Sequence, residues 1–252
     1  MTIKVDLNCD MGESFGLYNI CDDEEVMKYV TSANVACGFH ASDPHVMRRT
    51  VELAKKYGVA VGAHPGFPDL VGFGRRAMSL SKQEIKDIMA YQVGALREFL
   101  AINGMKLHHI KPHGMLYDMA CEDAAMAEAI AESIAEINPK IFYYALDRSE
   151  LDYAAAKKGL NIIYEGYSDW AHTNNGLTVR MPAPPPGADI PSLRAERVLR
   201  MIREHRVISN TGEDIELRTD SICVHGDNPD SVAIAKKIHE VLTANGIEIA
   251  AP

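Results

Sequence analysis

Five short motifs carry most of the side chains able to do chemistry: Asp6-Leu7-Asn8-Cys9-Asp10-Met11-Gly12-Glu13, Cys37-Gly38-Phe39-His40-Ala41-Ser42-Asp43, Gly62-Ala63-His64-Pro65-Gly66, Lys111-Pro112-His113-Gly114 and Cys223-Val224-His225-Gly226-Asp227. One histidine beside a glycine is a weak signal, since such residues commonly hydrogen-bond for structural reasons. Repetition strengthens it. Burying His40, His64, His113 and His225 near Asp10 and Asp227 for packing alone would demand a partner for every polar atom. Two chemical roles suit the set. Asp10, Glu13, His40, His64 and His113 could hold a divalent metal; histidine with carboxylate suits Zn, Mn or Fe, and carboxylate with water suits Mg. No HExxH or paired-cysteine spacing accompanies them. Alternatively, the same groups position a substrate and move protons, with an Asp or His as base and Lys111 as a fixed positive charge beside a developing oxyanion or a phosphate.

Lys111 ends the apolar run Leu107-His108-His109-Ile110, and Pro112 keeps the chain from turning directly into a helix. The loop from Gly66 to Arg76 brings Gly72, Gly74, Arg75 and Arg76 ahead of a helix near Ser81. Backbone amides and guanidinium groups so placed suit a phosphate or carboxylate. The bland alternative is a tight surface loop with solvated arginines. The chain has no GxxxxGK[ST] and no GxGxxG after a strand, so a nucleotide would need a non-Walker site. Cys37 near His40 and Cys9 near Asp10 are candidate nucleophiles that rank below a packing role. His45, His108, His109, His172, His205 and His239 read as structural or solvated, with His172 the exception to watch.

Groups this far apart in sequence meet only if the elements bearing them end on a common face. Apolar β-branched runs predict strands at 3–8, 32–37, 59–63, 107–111, 142–146, 161–165 and 221–225. Segments of helical period between them predict helices at 22–30, 43–57, 81–103, 122–137, 150–158, 192–205 and 229–245. Ser81 with Glu84 reads as a capping box, and Gly104, Gly159 and Gly246 sit where left-handed C-caps end helices. The alternation is that of βα units on a parallel sheet, whose strands end on one side. No linker or repeat divides residues 1–252, which predicts one domain. The long irregular stretches 62–80 and 166–189 read as lids or binding loops.

A net charge of −9 and a pI near 5.6 argue against nonspecific nucleic-acid binding and favour a small molecule or a protein partner. No apolar run reaches the length that spans a bilayer, and the start of the chain enters a strand directly, which predicts a cytoplasmic protein without membrane attachment. Five scattered cysteines without a CxxC pair predict reduced thiols.

Taken in order, Val5–Asp10 with Gly12-Glu13-Ser14-Phe15-Gly16, Ser32–His40, Gly62–Gly66, Gly72-Phe73-Gly74-Arg75-Arg76, Lys111–Gly114 and Cys223–Asp227 resemble the LamB/YcsF family over almost the whole chain. The resemblance implies a distorted or incomplete (β/α) barrel of about seven parallel strands, akin to the glycoside hydrolase/deacetylase fold. It implies a part in ATP-dependent cleavage of 5-oxoproline, or a related lactam, to glutamate, together with B and C subunits of 5-oxoprolinase and with Mg accompanying the ATP. Within it, Asp10, Glu13, Lys111 and His113 would be catalytic. Asn8, His40, His64, Asp169, Arg180, His225 and Asp227 would bind substrate; Gly72, Gly74, Arg75 and Arg76 would hold the nucleotide. Asp10, His40, His64 and His113 would be the residues for any protein-bound metal. One departure concerns specificity. Where the family shows Ala-Asp-Arg after the sixth strand, this chain has Ser168-Asp169-Trp170, which replaces a cation with an aromatic ring and leaves Arg180 as the nearby cation. The competing readings are a stand-alone metal-dependent C–N hydrolase or deacetylase, and a noncatalytic subunit that binds a small acid.

Overall fold

A computed structural model describes residues 3–252; Met1 and Thr2 lie outside the described residues, as does that end of the domain expected over 1–252. The strands are β1 (Lys4–Met11), β2 (Ser32–Ala36), β3 (Ala60–His64), β4 (His109–Ile110), β5 (Phe142–Ala145), β6 (Asn161–Tyr167), β7 (Trp170–His172), β8 (Thr178–Arg180), β9 (Arg206–Ile208), β10 (Asp214–Glu216), β11 (Ser221–His225) and β12 (Glu248–Ile249). The helices are α1 (Asp23–Val26), α2 (Pro44–Tyr57), α3 (Lys82–Ile102), α4 (Gly114–Glu122), α5 (Ala124–Ile137), α6 (Glu150–Lys158), α7 (Ile190–Glu204) and α8 (Ser231–Ala244).

Strands β1 to β6 pair in sequence order, all parallel, and β11 joins β6 to β1. The result is the expected barrel of seven parallel strands, and it is closed. β12 lies beside the start of β1, and two short antiparallel hairpins, β7–β8 and β9–β10, sit outside the ring. All seven predicted barrel strands are present.

Local signals explain several helix ends. Asp43 accepts from the backbone N–H groups of His45 and Val46 and Pro44 opens α2, while Gly58 ends it in the left-handed region. The capping box at Ser81 and Glu84 forms as expected. One expectation fails: the helix foreseen at 22–30 shrinks to the single turn α1. Pro112 keeps the chain from turning directly into a helix, as expected: His113 takes an extended N-cap conformation and α4 begins at Gly114, ahead of the helix foreseen from 122. The hairpin β7–β8 also falls inside a stretch read as irregular.

The barrel interior has an unusual filling. In-facing layers of such barrels are normally Val, Ile and Leu, yet here Thr31 and Ser32 donate to Asp6 at 2.7 Å, and Tyr144 donates to the other Asp6 oxygen at 2.8 Å. One layer up, Asn8 donates to Ser221 at 2.7 Å, Asn34 donates to Asn8 and Asp10 at 2.7 Å, and His109 Nε2 lies 2.7 Å from Asn34 Oδ1. These bonds link β1, β2, β4, β5 and β11 through the middle of the barrel, and each makes burial of its polar groups tolerable. Gly62 is required by this filling: a Cβ there would fall inside the His109 ring. The apolar core lies outside the ring, where Val5, Leu7, Cys9 and Met11 alternate with those polar residues and pack under the helices with Val51, Met89, Ile130 and Ile234.

Candidate active site

The polar column opens at the carboxyl ends of the strands. Lys111, foreseen at a strand end, is fully buried and aimed inward. Its Nζ lies 3.0 Å from Asp10 Oδ1 and 2.7 Å from Glu165 Oε1, the latter an ion contact outside hydrogen-bonding direction. Cys223 Sγ is 3.1 Å away. Burial would lower the Lys111 pKa, but Asp10, Cys223 and Glu165 outweigh it and hold the pKa well above the usual lysine range. Burial likewise works against Asp10 ionising; His64 and Lys111 overcome it and keep the Asp10 carboxyl well below its ordinary range.

Three histidines gather on the other side of Asp10. His64 Nδ1 lies 2.7 Å from the Lys111 carbonyl, so it must carry the proton and donate. By the same reasoning His113 Nε2, 2.8 Å from the Phe73 carbonyl, is a donor. The remaining nitrogens, His64 Nε2 and His113 Nδ1, therefore meet as lone pairs 3.0 Å apart when both rings are neutral. Glu13 Oε1 lies 3.5 Å from His113 Nδ1 and 3.2 Å from His40 Nε2, and Asp10 Oδ2 is 3.2 Å from His64 Nε2. The His40 and His113 rings stack at 3.6 Å, and His40 Nδ1 has no hydrogen-bond partner among the described residues. Burial, reinforced by the neighbouring histidines, pushes the His40 and His113 pKa values down. Burial and Asp10 push that of Glu13 up.

Ligating atoms of Glu13, His40, His64 and His113 all lie within 4.8 Å of one another. The donors suit a cation: two converging imidazole lone pairs, a carboxylate and the His40 ring beside it. Glu13, one of the five residues read from the motifs, belongs to this set; Asp10, 3.2 Å from His64 Nε2, also groups with Cys223 and His225. The loop around Gly74 is shaped to admit the pair, since Gly74 has φ +65° and a Cβ there would come within 2.7 Å of His40 Cβ and 2.8 Å of His113 Cδ2.

His225 stands across the mouth. Its Nδ1 donates to Asp169 at 2.8 Å, and its Nε2 is 3.9 Å from Asp10. Burial would favour the neutral ring; Asp169 and Asp10 reverse this, and the pKa is pushed up to about 9. The ring lies between Tyr167, stacked at 5.8 Å, and Trp170, tilted at 6.0 Å.

A cavity of about 180 Å³ occupies the space among Asp10, His64, Lys111, His113 and His225, walled by Met115, Tyr117, Tyr167 and Trp170. Arg75 and Asp118 also face it. A second cavity of about 220 Å³ adjoins it outside, shares Arg75, Trp170 and His225, and adds Asp169, Arg180, Asp227 and Asn228. Arg75 is held across the mouth by Asp227 at 2.7 Å.

Several residues fall elsewhere than expected. Asn8 belongs to the hydrogen-bonded barrel filling, not to the cavity wall. Arg76 pairs with Asp69, and the Gly72 N–H donates to the same carboxylate. Arg180 and Asp227 reach only the outer cavity. His40 sits behind His113, away from the cavity wall. His172 is the last residue of β7 and buried, and its Nδ1 donates to the Gly176 carbonyl at 2.8 Å. Burial raises the Cys9 and Cys37 thiols, Cys37 to about 12, which suits packing and not nucleophilic attack. Glu165, Tyr167, Tyr117 and Asp118 escaped the sequence reading. Glu165 left a trace: it is a charge inside an otherwise apolar strand, two residues from Tyr167 on the same face.

Comparisons place this geometry among known proteins. The model of the LamB/YcsF family matches residues 5–252. The A subunit of 5-oxoprolinase from Brevibacillus brevis is 49% identical over 249 residues, spanning 98% of this chain and 97% of that protein. The protein of the same name from Clostridium beijerinckii is 50% identical over 246 residues, spanning 98% and 96%. The crystal structure of a lactam utilization protein from Thermus thermophilus superposes with a TM-score of 0.91 at 42% identity, over 99% of this chain and 100% of that one.

Proposed function

This chain belongs to the LamB/YcsF family, and on that premise we propose that it is the lactam-binding subunit of an ATP-dependent 5-oxoprolinase, opening 5-oxoproline to glutamate together with B and C subunits. The observation that carries the reading is the inner cavity of about 180 Å³, with charged groups at one end and aromatic walls. A cavity of about 150 Å³ holds one benzene ring, so this one suits a single small ring with a few polar substituents. It lies below the roughly 300 Å³ at which pockets for larger ligands begin. A nucleotide would therefore approach from the outer cavity, where Arg75 and Arg180 face the route inward.

The chemistry follows from the charges. A lactam carbonyl is a poor electrophile, and phosphorylating its oxygen activates the carbon and couples ring opening to ATP. Lys111 and the His225 imidazolium present fixed positive charge to that oxygen. Asp10, the ionised carboxylate of the cavity, accepts the proton of attacking water; activation of the carbonyl lowers the basicity this requires. Arg75 binds phosphate or the substrate carboxylate. Trp170, Tyr167 and Tyr117 pack against the ring methylenes. Glu13, His40, His64 and His113 would hold a divalent ion such as Zn, Mn or Fe, which when bound supplies Lewis acidity. Mg would accompany the ATP.

The imidazole and carboxylate cluster also favours a second reading, a metal-dependent C–N hydrolase that works without ATP. Measuring 5-oxoproline-dependent ADP release, with the chain alone and with B and C subunits, decides between them. We expect release only in the assembled system. ATP-independent hydrolysis by the metal-loaded chain would establish the second reading, and binding without turnover in every combination would leave a carrier of small acids.

A further inference from the structure

We propose that Asp118 is the acid that protonates the leaving nitrogen as the lactam C–N bond opens, an inference that rests on the function proposed above. α4 begins immediately after Lys111-Pro112-His113, and Gly114, Met115 and Asp118 present one face of its first turns to the inner cavity. The cations of that cavity are each committed to another carboxylate: Arg75 to Asp227, His225 to Asp169, and Lys111 to Asp10 and Glu165. Thr178 of β8 lines the same cavity as Asp118, and among the described residues Asp118 forms no ion pair. It is thus a carboxyl facing the substrate space without a cation of its own.

Ring opening needs such a group. Amide nitrogen leaves poorly unless it gains a proton as the bond breaks. On attack at the O-phosphorylated lactam, the water oxygen bonds to the former carbonyl carbon, the C=N π pair moves onto nitrogen and one water proton passes to Asp10. The C–N bond then breaks as the new hydroxyl reforms a carbonyl and sheds its proton to solvent; the C–N electron pair stays on nitrogen, and nitrogen takes the Asp118 proton. The acyl phosphate left on carbon is hydrolysed by a second water, which releases the carboxylate and inorganic phosphate. The amine gains a further proton from solvent, and the resulting ammonium pairs with the Asp118 carboxylate until product leaves. Exchange with solvent returns the proton to Asp118 and removes the one on Asp10. Burial keeps the Asp118 pKa above the usual aspartate range; Glu122 acts in the same direction, while His225 and Arg75 act against it.

The test compares wild type, Asp118→Asn and Asp118→Glu, each assembled with B and C subunits, on 5-oxoproline and on the analogue whose ring nitrogen is replaced by oxygen. The lactone oxygen needs far less protonation to leave. We expect Asp118→Asn to lower kcat on the lactam about 100-fold or more, with KM changed less than about threefold, and to lose the alkaline limb of the pH profile. Loss on the lactone should stay under about tenfold, and Asp118→Glu should recover part of the lactam rate. Near-normal lactam turnover by Asp118→Asn, equal losses on both substrates, or a rise in KM alone would each overturn the proposal. A wild-type assembly that turns over neither substrate would instead overturn the reading on which it rests.

Discussion

His64 Nε2 and His113 Nδ1 face each other at 3.0 Å, and each ring has its other nitrogen tied to a backbone carbonyl, that of Lys111 for His64 and that of Phe73 for His113. Two lone pairs held this way repel unless a cation lies between them. The purified chain should therefore bind one divalent ion, and Glu13→Ala or His64→Ala should weaken it by about 100-fold. Elemental analysis and calorimetric titration provide the readings. Undiminished affinity in both variants would remove these residues from any metal site.

Lys111 neutralises Asp10 and Glu165 where none of the three meets bulk water. Lys111→Ala should abolish turnover, and it should also destabilise the fold by about 3–5 kcal/mol, because two buried carboxylates lose their counter-charge. Adding Glu165→Gln should restore part of that stability and none of the activity. Urea melts of the single and double variants provide the comparison; a Lys111→Ala chain as stable as wild type would contradict it.

His225 is expected to link stability to pH. Its pKa is raised to about 9 in the folded chain, above the ordinary value near 6.5. Stabilisation from the Asp169 and Asp10 contacts is then fully present below about pH 6.5 and is lost as pH rises through about 9, amounting to roughly 3 kcal/mol. Asp169→Asn should flatten this dependence. Melting temperatures between pH 6 and pH 10 (about that range) test it, and parallel curves for the two proteins would refute it.

Trp170, with Arg75 and His225, lines both the inner cavity and the outer one. Trp170→Ala should merge them, raise KM for 5-oxoproline about tenfold through lost ring contact, and narrow the preference over the six-membered homologue. The ratio of kcat/KM values for the two lactams reports this directly. An unchanged ratio would mean that Trp170 does not shape specificity.

Much of this site was visible before any fold was. Histidines and carboxylates beside glycines at successive strand ends marked the mouth, since parallel strands deliver their ends to one side. The same local view read the Arg76 loop as suited to a phosphate or carboxylate, because spacing shows that an arginine follows glycines and not that Asp69 seven residues earlier pairs with it. The resemblance put Asn8 at the substrate, and Ser221 and Asn34 hold it inside the barrel.

The chain's residue pattern determined by itself the βα alternation, the caps at Asp43 and Ser81, and the set of strand-end motifs, all of which depend on neighbours a few positions away. Only the tertiary structure decided that the ring closes with seven strands, that Glu13 gathers with His40, His64 and His113, that Glu165 meets Lys111, and that Asp118 faces the cavity. Those outcomes depend on which strands become neighbours and how in-facing side chains interlock across the barrel. Gly62 shows the difference. In the sequence it is one residue of a turn-like motif, and in the barrel it is the space that the ring of His109, 47 positions away, comes to fill.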